Sequence, residues 1–158
     1  MTVSKVETNP PDFGDYTALH GLLRDAFAYM EARIDPPSSL HAMSPDDLAA
    51  QSAEMDLLLV RAAGQPVACL FGHSRPDCYY IGKLAVAAPQ RSKGLARELI
   101  NTAATRARAL GHDVLELNTR VELVENHAAF ARLGFHQSGV FTHPGYDRPT
   151  SLTFRRPL

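Results

Sequence analysis

The chain has 158 residues, of which 45% are apolar and 21% charged, and its formal net charge at pH 7 is −1. These values are typical of one globular domain with a substantial core, so a single domain over residues 1–158 is expected. The near-neutral charge offers no basic field, and neither nucleic acid nor a membrane is an expected partner. The sequence shows no apolar signal region and no run of membrane-spanning length, which predicts a cytoplasmic protein.

The first third of the chain predicts one short strand and two helices. A β-prone segment lies at Val3–Thr8, and apolar residues at helical spacing predict a helix from Asp15 to Arg33. Prolines predict a loop at Ile34–Met43, because the residue before a proline avoids the helical conformation. The next helix is predicted from Ser44 to Glu54, since serine is a good N-cap and the following proline suits the first helical position.

The middle of the chain predicts a meander and a crossover. Three apolar, β-prone segments joined by short links predict antiparallel strands at Leu57–Ala62, Pro66–His73 and Tyr79–Ala87. A long amphipathic helix is predicted to begin at Gly94. The strand after it, Val114–Thr119, is expected to run parallel to the Tyr79–Ala87 strand, because a helical crossover joins the two.

The last third predicts one helix and a closing pair of strands. The helix runs over Val124–Leu133 and ends with Gly134 in the left-handed capping position. His136–Thr142 and Thr150–Arg155 are predicted to pair antiparallel. The fold class is therefore α/β, with a mixed, mostly antiparallel, twisted sheet of six or seven strands flanked by four helices.

Cysteines and histidines give no sign of a metal site. Two cysteines, Cys69 and Cys78, are too few for a disulfide framework or a zinc site, and free thiols are predicted although their strands can pair. The seven histidines show neither metal-ligand spacing nor an H-E-x-x-H motif, so no metal is expected.

The turn before the long helix contains the sequence QRSKGLA, residues 90–96. Unpaired backbone N–H groups at a helix N-terminus suit a phosphate or pyrophosphate, and Gly94 with the small Ala96 lets a ligand approach the backbone. Neither G-x-x-x-x-G-K-[ST] nor G-x-G-x-x-G is present. An ordinary βα turn with solvated Arg91 and Lys93 is the alternative.

The pattern [QR]-x-x-G-x-[GA], filled by Arg91, Gly94 and Ala96 directly after Leu-Ala-Val on a strand, resembles the coenzyme A pyrophosphate loop of the GCN5-related N-acetyltransferase (GNAT) superfamily. Further along, the residues L-E-L at 115–117, Asn126, and F-A-R-L-G-F at 130–135 resemble the superfamily's L-E-V … N … Y-x-x-L-G-F run, with Phe130 in the place of the tyrosine. The predicted order of elements matches the superfamily along nearly the whole chain.

This resemblance implies an N-acetyltransferase that transfers the acetyl group of acetyl-CoA to a primary amine of a small molecule or peptide by direct attack. It also implies that the two parallel strands splay apart, so that backbone groups of one strand pair with the pantetheine arm. The residues implied in coenzyme binding are Leu84, Ala85, Val86, Arg91, Ser92, Lys93, Gly94, Leu95, Ala96, Asn126 and Phe130.

Two catalytic roles follow from the chemistry and the resemblance. An alkylamine has a pKa of about 10.4 and must lose a proton before it attacks a thioester. Glu116, on the strand after the coenzyme helix, is the predicted general base, with a solvated strand glutamate as the alternative. Many members protonate the departing thiolate with a tyrosine where this chain has Phe130, which has no proton to give, and Tyr146 is the predicted substitute.

The resemblance places the acceptor between two loops, Ile34–Met43 and His143–Pro149. The predicted acceptor-binding residues are Arg33, Ser38, Ser39 and His143. Dimers are common in the superfamily, so a homodimer is compatible with the resemblance. Two alternatives stay open: a coenzyme A-binding sensor or interaction module that has lost its chemistry, which Phe130 favours, and O-acetylation or transfer of another acyl group.

Overall fold

A computed structural model describes residues 2–158 and contains one seven-stranded sheet with strand order β1-β2-β3-β4-β5-β7-β6. The strands are β1 (Glu7–Thr8), β2 (Asp56–Ala62), β3 (Gln65–Arg75), β4 (Cys78–Val86), β5 (Val114–Arg120), β6 (His136–Phe141) and β7 (Ser151–Pro157). The helices are α1 (Tyr16–Phe27), α2 (Pro45–Glu54), α3 (Leu95–Ala109) and α4 (Val124–Arg132).

The sheet is mixed, and its one parallel pair is β4 with β5 among the described strands. The helical crossover through α3 fixes this direction, because the chain must cross the sheet before it can start a parallel neighbour. Every other neighbouring pair is antiparallel. The predicted fold class, including the parallel pair and the four helices, is confirmed.

Local capping signals in the sequence account for several element ends. The Ser44 side chain accepts from the Asp47 N–H at 3.1 Å, and the Asp47 side chain accepts from the Ser44 N–H at 2.9 Å, which makes a capping box at the start of α2. Gly134 has φ +92° directly after α4, the left-handed conformation that ends a helix. Both predictions are confirmed.

Two predicted elements are shorter in the structure. The first helix ends at Phe27 and continues only as a 3₁₀ turn over Ala28–Met30, because its buried stripe stops at Ala26 and no packing supports another turn. The first strand forms a continuous ladder with β2 only at Glu7–Thr8, and Val3 adds an isolated antiparallel bridge to Ala62 that is one residue out of that register. Within the predicted loop Ile34–Met43, residues 39–42 form a further 3₁₀ turn.

Hydrophobic residues form a core on each face of the sheet. On one face, strand residues such as Tyr79, Ile81, Leu115 and Leu117 pack against α3. On the other face, α1 and α2 cover the β2–β3 side of the sheet, where Leu59 and its neighbours are buried. Cys69 and Cys78 are both buried free thiols, which confirms that they are not bridged.

Position 72 on β3 requires glycine because the Tyr79 ring lies directly against its backbone. A Cβ atom at position 72 would overlap the Tyr79 hydroxyl oxygen and lie 2.5 and 2.6 Å from two atoms of the ring. The ring cannot easily move, because it is fully buried and its hydroxyl donates to Asp56 Oδ2 at 2.6 Å. We expect Gly72→Ala to lower the free energy of unfolding by about 1–3 kcal/mol, the usual cost of overpacking a core, as measured by urea unfolding.

Gly82→Ala is the matched control for stability. A Cβ atom there would meet its nearest neighbour, Cε1 of Tyr80, at 3.7 Å, which is ordinary van der Waals contact. Equal unfolding midpoints for the two variants would contradict the close-packing argument.

Candidate active site

The loop between β4 and α3 presents a row of backbone N–H groups at the start of a long helix. Gly94 is the N-cap of α3 with φ +83°, and Ser92 also has a positive φ of +64°. Within residues 2–158, the N–H groups of residues 92–96 meet no acceptor. Alternation of right- and left-handed backbone conformations is typical of anion-binding concavities, and the helix dipole adds partial positive charge at the same point.

Two basic side chains flank this loop. Arg91 Nε donates to the carbonyl of Val86 at 3.3 Å, and Lys93 Nζ donates to Oε1 of the buried Gln90 at 3.3 Å. In the described part of the chain, neither cation has a carboxylate partner, although both residues are exposed. Their positive charges are therefore available to an anion at the loop.

The strands β4 and β5 separate soon after they begin to pair. Their ladder contains only Tyr79↔Leu115 and Tyr80↔Glu116, although β4 continues to Val86 and β5 to Arg120. The backbone edge of Leu84–Val86 that faces β5 therefore lacks a strand partner. This gap leads from the middle of the sheet to the loop at Gly94.

A β-bulge lies on β4 beside the gap. The register with β3 shifts where Gly82 and Ala85 face Phe71 and Cys69, and Lys83 within the bulge has φ +50°. Burial lowers the pKa of the Lys83 ammonium below its usual value. The bulge turns the β4 backbone at the point where the strands part, which is where such features commonly re-aim polar groups.

Glu116 lies at the closed end of the gap in an ion-pair network. Arg75 Nη1 donates to its Oε2 at 3.3 Å and Arg155 Nε to its Oε1 at 2.9 Å. Its side chain is only 12% exposed, so Glu116 is not the solvated strand glutamate of the alternative interpretation. Arg155 also donates to Asp77 at 2.7 Å. A role for Glu116 as a base stays a prediction.

Tyr80 is a polar residue of this region that the sequence reasoning missed. It pairs with Glu116 across β4 and β5, and the Arg75 guanidinium lies 3.8 Å from the centre of its ring. Burial raises the pKa of the Tyr80 hydroxyl, while Arg75 and the backbone and side chain of Asn118 act to lower it. The sequence feature that could have pointed to Tyr80 is strand alternation, which puts Tyr80 on the same face as Gly82 and on the opposite face from Tyr79.

The structure places the two α4 residues implied in coenzyme binding apart from each other. The Phe130 ring is half-buried and packs against the edge of the core, with its centre 5.9 Å from that of Phe135 and 6.5 Å from that of Phe154. Asn126 is half-buried, and its side-chain amide donates to the Tyr29 hydroxyl at 3.1 Å. Their roles toward a coenzyme stay predictions.

The predicted acceptor residue Arg33 is held by a carboxylate from a distant part of the chain. Its guanidinium makes a bidentate pair with Glu125 on α4, at 2.6 and 3.0 Å. The Arg33 guanidinium holds the pKa of Glu125 well below its ordinary value, at about 2. The pair joins the segment after α1 to the start of α4.

The two loops predicted to line the acceptor cleft contact each other. The Tyr146 hydroxyl donates to Asp35 Oδ1 at 2.6 Å, and Arg148 donates to Asp35 Oδ2 at 3.2 Å. From β5, Arg120 donates to the carbonyl of Pro36 at 2.6 Å. The loops thus meet over the carboxyl end of β5.

The remaining predicted acceptor residues stabilise turns. The Ser38 hydroxyl accepts from the Leu40 N–H at 3.3 Å, and Ser39 begins that 3₁₀ turn. His143 hydrogen-bonds Thr150 through both its N–H and its ring, and burial lowers the pKa of the ring. Ser38 also lines a cavity of about 250 Å³ between α1 and the loop after it, together with His20.

A larger cavity, of about 860 Å³, lies at the other end of α3, where Arg106 and Leu110 line it. It is remote from the Gly94 loop because α3 is 15 residues long.

No cluster of three or more histidine, cysteine or acidic side chains over residues 2–158 is arranged to hold a metal ion. Over the same range, every helix is too short or too polar to cross a membrane.

Comparison with known proteins agrees with this geometry. A family model described as "Acetyltransferase (GNAT) family" matches residues 17–135. The PaiA N-acetyltransferase of Thermoplasma acidophilum in complex with coenzyme A superposes with a TM-score of 0.80 at 11% identity, covering 100% of both chains. A GNAT family acetyltransferase of Elizabethkingia anophelis with acetyl-CoA bound gives 0.70 at 14% identity, over 99% of this chain and 98% of that one.

A third structure, the IAA acetyltransferase of Bacillus cereus, gives a TM-score of 0.68 at 19% identity and covers 99% of this chain and 100% of its own. At such identities the likeness concerns the fold alone. The family model spans well over half of the sequence. The chain belongs to the GNAT family of acetyltransferases.

Proposed function

We propose that this protein is an N-acetyltransferase that transfers the acetyl group of acetyl-CoA to a primary amine of a small molecule or peptide by direct attack. Membership of the family supports acetyl-CoA-dependent acyl transfer. The observation that carries the proposal is the continuity of two features on β4: an unpaired backbone edge, followed directly by a loop of free N–H groups. Together they can hold an extended chain that ends in a pyrophosphate.

In this proposal the coenzyme lies along β4. The N–H groups of residues 92–96 hold the pyrophosphate, with Arg91 and Lys93 providing positive charge beside it. The backbone of Leu84–Val86 pairs with the pantetheine arm as a strand would. Asn126 and Phe130 belong to the coenzyme site as the family pattern implies.

The thioester then lies near the bulge, where the strands part. A backbone N–H of β4 there donates to the thioester oxygen and stabilises the negative charge of the tetrahedral intermediate. The remaining requirements are positioning of the amine and transfer of its proton. No metal is part of this proposal.

Glu116 is the proposed general base, directly or through a water molecule. Its two carboxylate oxygens accept from Arg75 and Arg155, and each oxygen retains a further lone pair that can accept a proton. The arginines fix the carboxylate at the closed end of the gap, close in sequence register to Tyr80. A fixed carboxylate favours one direction of proton transfer.

The acceptor site is proposed between the two joined loops. Arg33, Ser38, Ser39 and His143 line or support it, and Asp35 is the nearest anionic group for a cationic amine. Binding there competes with the existing bonds of Asp35 to Tyr146 and Arg148. An amine acceptor that replaces Arg148 at Asp35 would keep the charge balance of the cluster.

A coenzyme A-binding sensor is the second candidate. Two observations favour it: Phe130 packs against the core and cannot donate a proton, and the acceptor loops are bonded to each other. A homodimer and a cytoplasmic location also stay predictions, as does the choice of amine over hydroxyl acceptors and of acetyl over other acyl groups.

The test is release of coenzyme A thiol from acetyl-CoA across a panel of small polyamines, amino acids, aminoglycosides and peptides with free N-termini. We expect release that depends on one class of amine and saturates with its concentration. Thiol release with hydroxyl compounds alone would replace N-acetylation by O-acetylation. Coenzyme binding without release for any acceptor would favour the sensor.

A further inference from the structure

One step of the proposed reaction lacks a proton donor. The departing thiolate needs a proton, and Phe130 has none to give. The sequence-based substitute, Tyr146, donates its hydroxyl proton to Asp35 in the loops beyond the end of β5. A second tyrosine lies closer to the place where the strands separate.

Tyr80 is the last residue of β4 that pairs with β5. Its neighbours Tyr79 and Ile81 belong to the core under α3, so alternation directs Tyr80 to the opposite face. Gly82 points to that same face and has no side chain, and a Cβ atom there would lie 3.7 Å from the Tyr80 ring. The space beside the ring at the start of the gap is therefore left open.

The Tyr80 hydroxyl oxygen lies next to Asn118 on β5, beyond the last paired residue. The Asn118 side-chain oxygen accepts from Thr153 Oγ1 at 2.7 Å, which leaves the amide NH₂ as the free polar group of that side chain. Burial raises the pKa of the Tyr80 hydroxyl, and the backbone and side chain of Asn118 act against that rise. Among residues 2–158 no acceptor takes the Tyr80 hydroxyl proton, so that proton is free to be donated.

The length of the pantetheine arm would place the coenzyme sulfur near Tyr80. From Val86 back to Gly82 the strand spans about 13 Å at roughly 3.3 Å per residue, a length comparable with that of an extended pantetheine arm. If the pyrophosphate lies at the Gly94 loop, the thioester lies near Gly82 and Tyr80. Arg75, His73 and Glu116 are the charged or titratable groups around the Tyr80 ring.

We propose that Tyr80 is the catalytic residue that protonates the coenzyme A thiolate, a role that rests on the proposed function. The amine nitrogen forms a bond to the thioester carbon, the carbon–sulfur bond breaks, and its electron pair stays on sulfur. The Tyr80 O–H gives its proton to that sulfur. The phenolate then regains the proton that the amine has lost to Glu116, its neighbour in the strand register.

The first test needs no acceptor. A hydroxyl that donates to the thiolate stabilises it, so the pKa of the thiol in the bound coenzyme A complex should be lower in the wild type than in Tyr80→Phe. We expect the variant to raise that pKa by about one unit, as the loss of one hydrogen bond to a charged group does. The measurement is thiolate absorbance of the complex against pH, taken as the difference from the coenzyme-free protein of the same variant so that tyrosine ionisation cancels.

Tyr16→Phe is the matched control, since the Tyr16 hydroxyl bonds Ser52 between α1 and α2, and its complex should titrate like the wild type. The coenzyme A dissociation constant of each variant shows that the fold and the site are intact. An unchanged thiol pKa in Tyr80→Phe would overturn the proposal. A shift in Tyr146→Phe with none in Tyr80→Phe would assign the donor to Tyr146 instead.

The second test uses the panel amine that gives the highest kcat. We expect Tyr80→Phe to lower kcat about a hundredfold, the lower end of the range for proton transfer, because a thiolate is a tolerable leaving group. Wild-type turnover with an equal kcat in Tyr80→Phe would overturn the role of Tyr80. A wild type that binds coenzyme A and turns over no amine would overturn the proposed function, and the thiol titration would still decide whether Tyr80 donates to sulfur.

Discussion

Replacement of Gly94 by aspartate should abolish coenzyme binding while leaving the fold intact. The new carboxylate would lie at the N-cap of α3, in open space and against the pyrophosphate. Two unit charges 4 Å apart repel by about 4 kcal/mol near a protein surface. We therefore expect the acetyl-CoA dissociation constant to rise at least a hundredfold, as measured by titration calorimetry.

Gly94→Asn is the matched control, because asparagine has the same shape without the charge and also tolerates the left-handed conformation of Gly94. Its affinity should fall much less than that of Gly94→Asp. Both substitutions place a side chain in the left-handed conformation at a cost of about 1–2 kcal/mol, so the ligand-free Gly94→Asp and Gly94→Asn proteins should unfold with similar free energies. Equal affinities of the two variants would contradict a pyrophosphate at this loop.

Glu116→Gln should lower kcat about a hundredfold or more at pH 7, with little change in the acetyl-CoA dissociation constant. The physical reason is that glutamine cannot accept the proton of the ammonium group. Because an amine with a pKa of about 10.4 loses its proton unaided as the pH rises, the rate of the variant should recover steadily toward alkaline pH. The measurement is kcat against pH for the best amine of the panel.

Arg155→Gln is the control that separates loss of the Glu116 carboxylate from loss of the ion-pair network around it. It removes the 2.9 Å contact to Glu116 and keeps the carboxylate. Both variants are expected to lose some stability, since each leaves one member of the ion-pair network without a partner. Only Glu116→Gln should change the shape of the pH profile. The same profile in both variants would return Glu116 to a purely structural role.

Local signals made most of the fold predictable from sequence. The Ser44 N-cap, the helix stop at Gly134 and the periodicity of α3 depend on neighbouring residues, and the structure confirms each of them. The crossover rule then fixed the parallel direction of β4 and β5. The end of α1 was not predictable in this way, because it depends on which residues the sheet covers.

The candidate site was less predictable because its contacts join distant parts of the chain. Arg33 pairs with Glu125, 92 residues away, and Arg155 pairs with Glu116, 39 residues away. Periodicity shows which face a residue lies on and gives no information about such partners. Tyr80 was missed for the same reason, since its importance depends on where β4 and β5 stop pairing.

The central claim is that acetyl-CoA binds along β4 with its pyrophosphate at the Gly94 loop, and thermal unfolding with ligands tests it most directly. Acetyl-CoA at about a hundred times its dissociation constant should add about 2.7 kcal/mol of stability, which for a domain of this size raises Tm by roughly 5–10 °C. Coenzyme A should give a similar rise and adenosine diphosphate a smaller one, because it keeps a pyrophosphate and lacks the pantetheine arm. No rise in Tm with acetyl-CoA or coenzyme A would contradict the account.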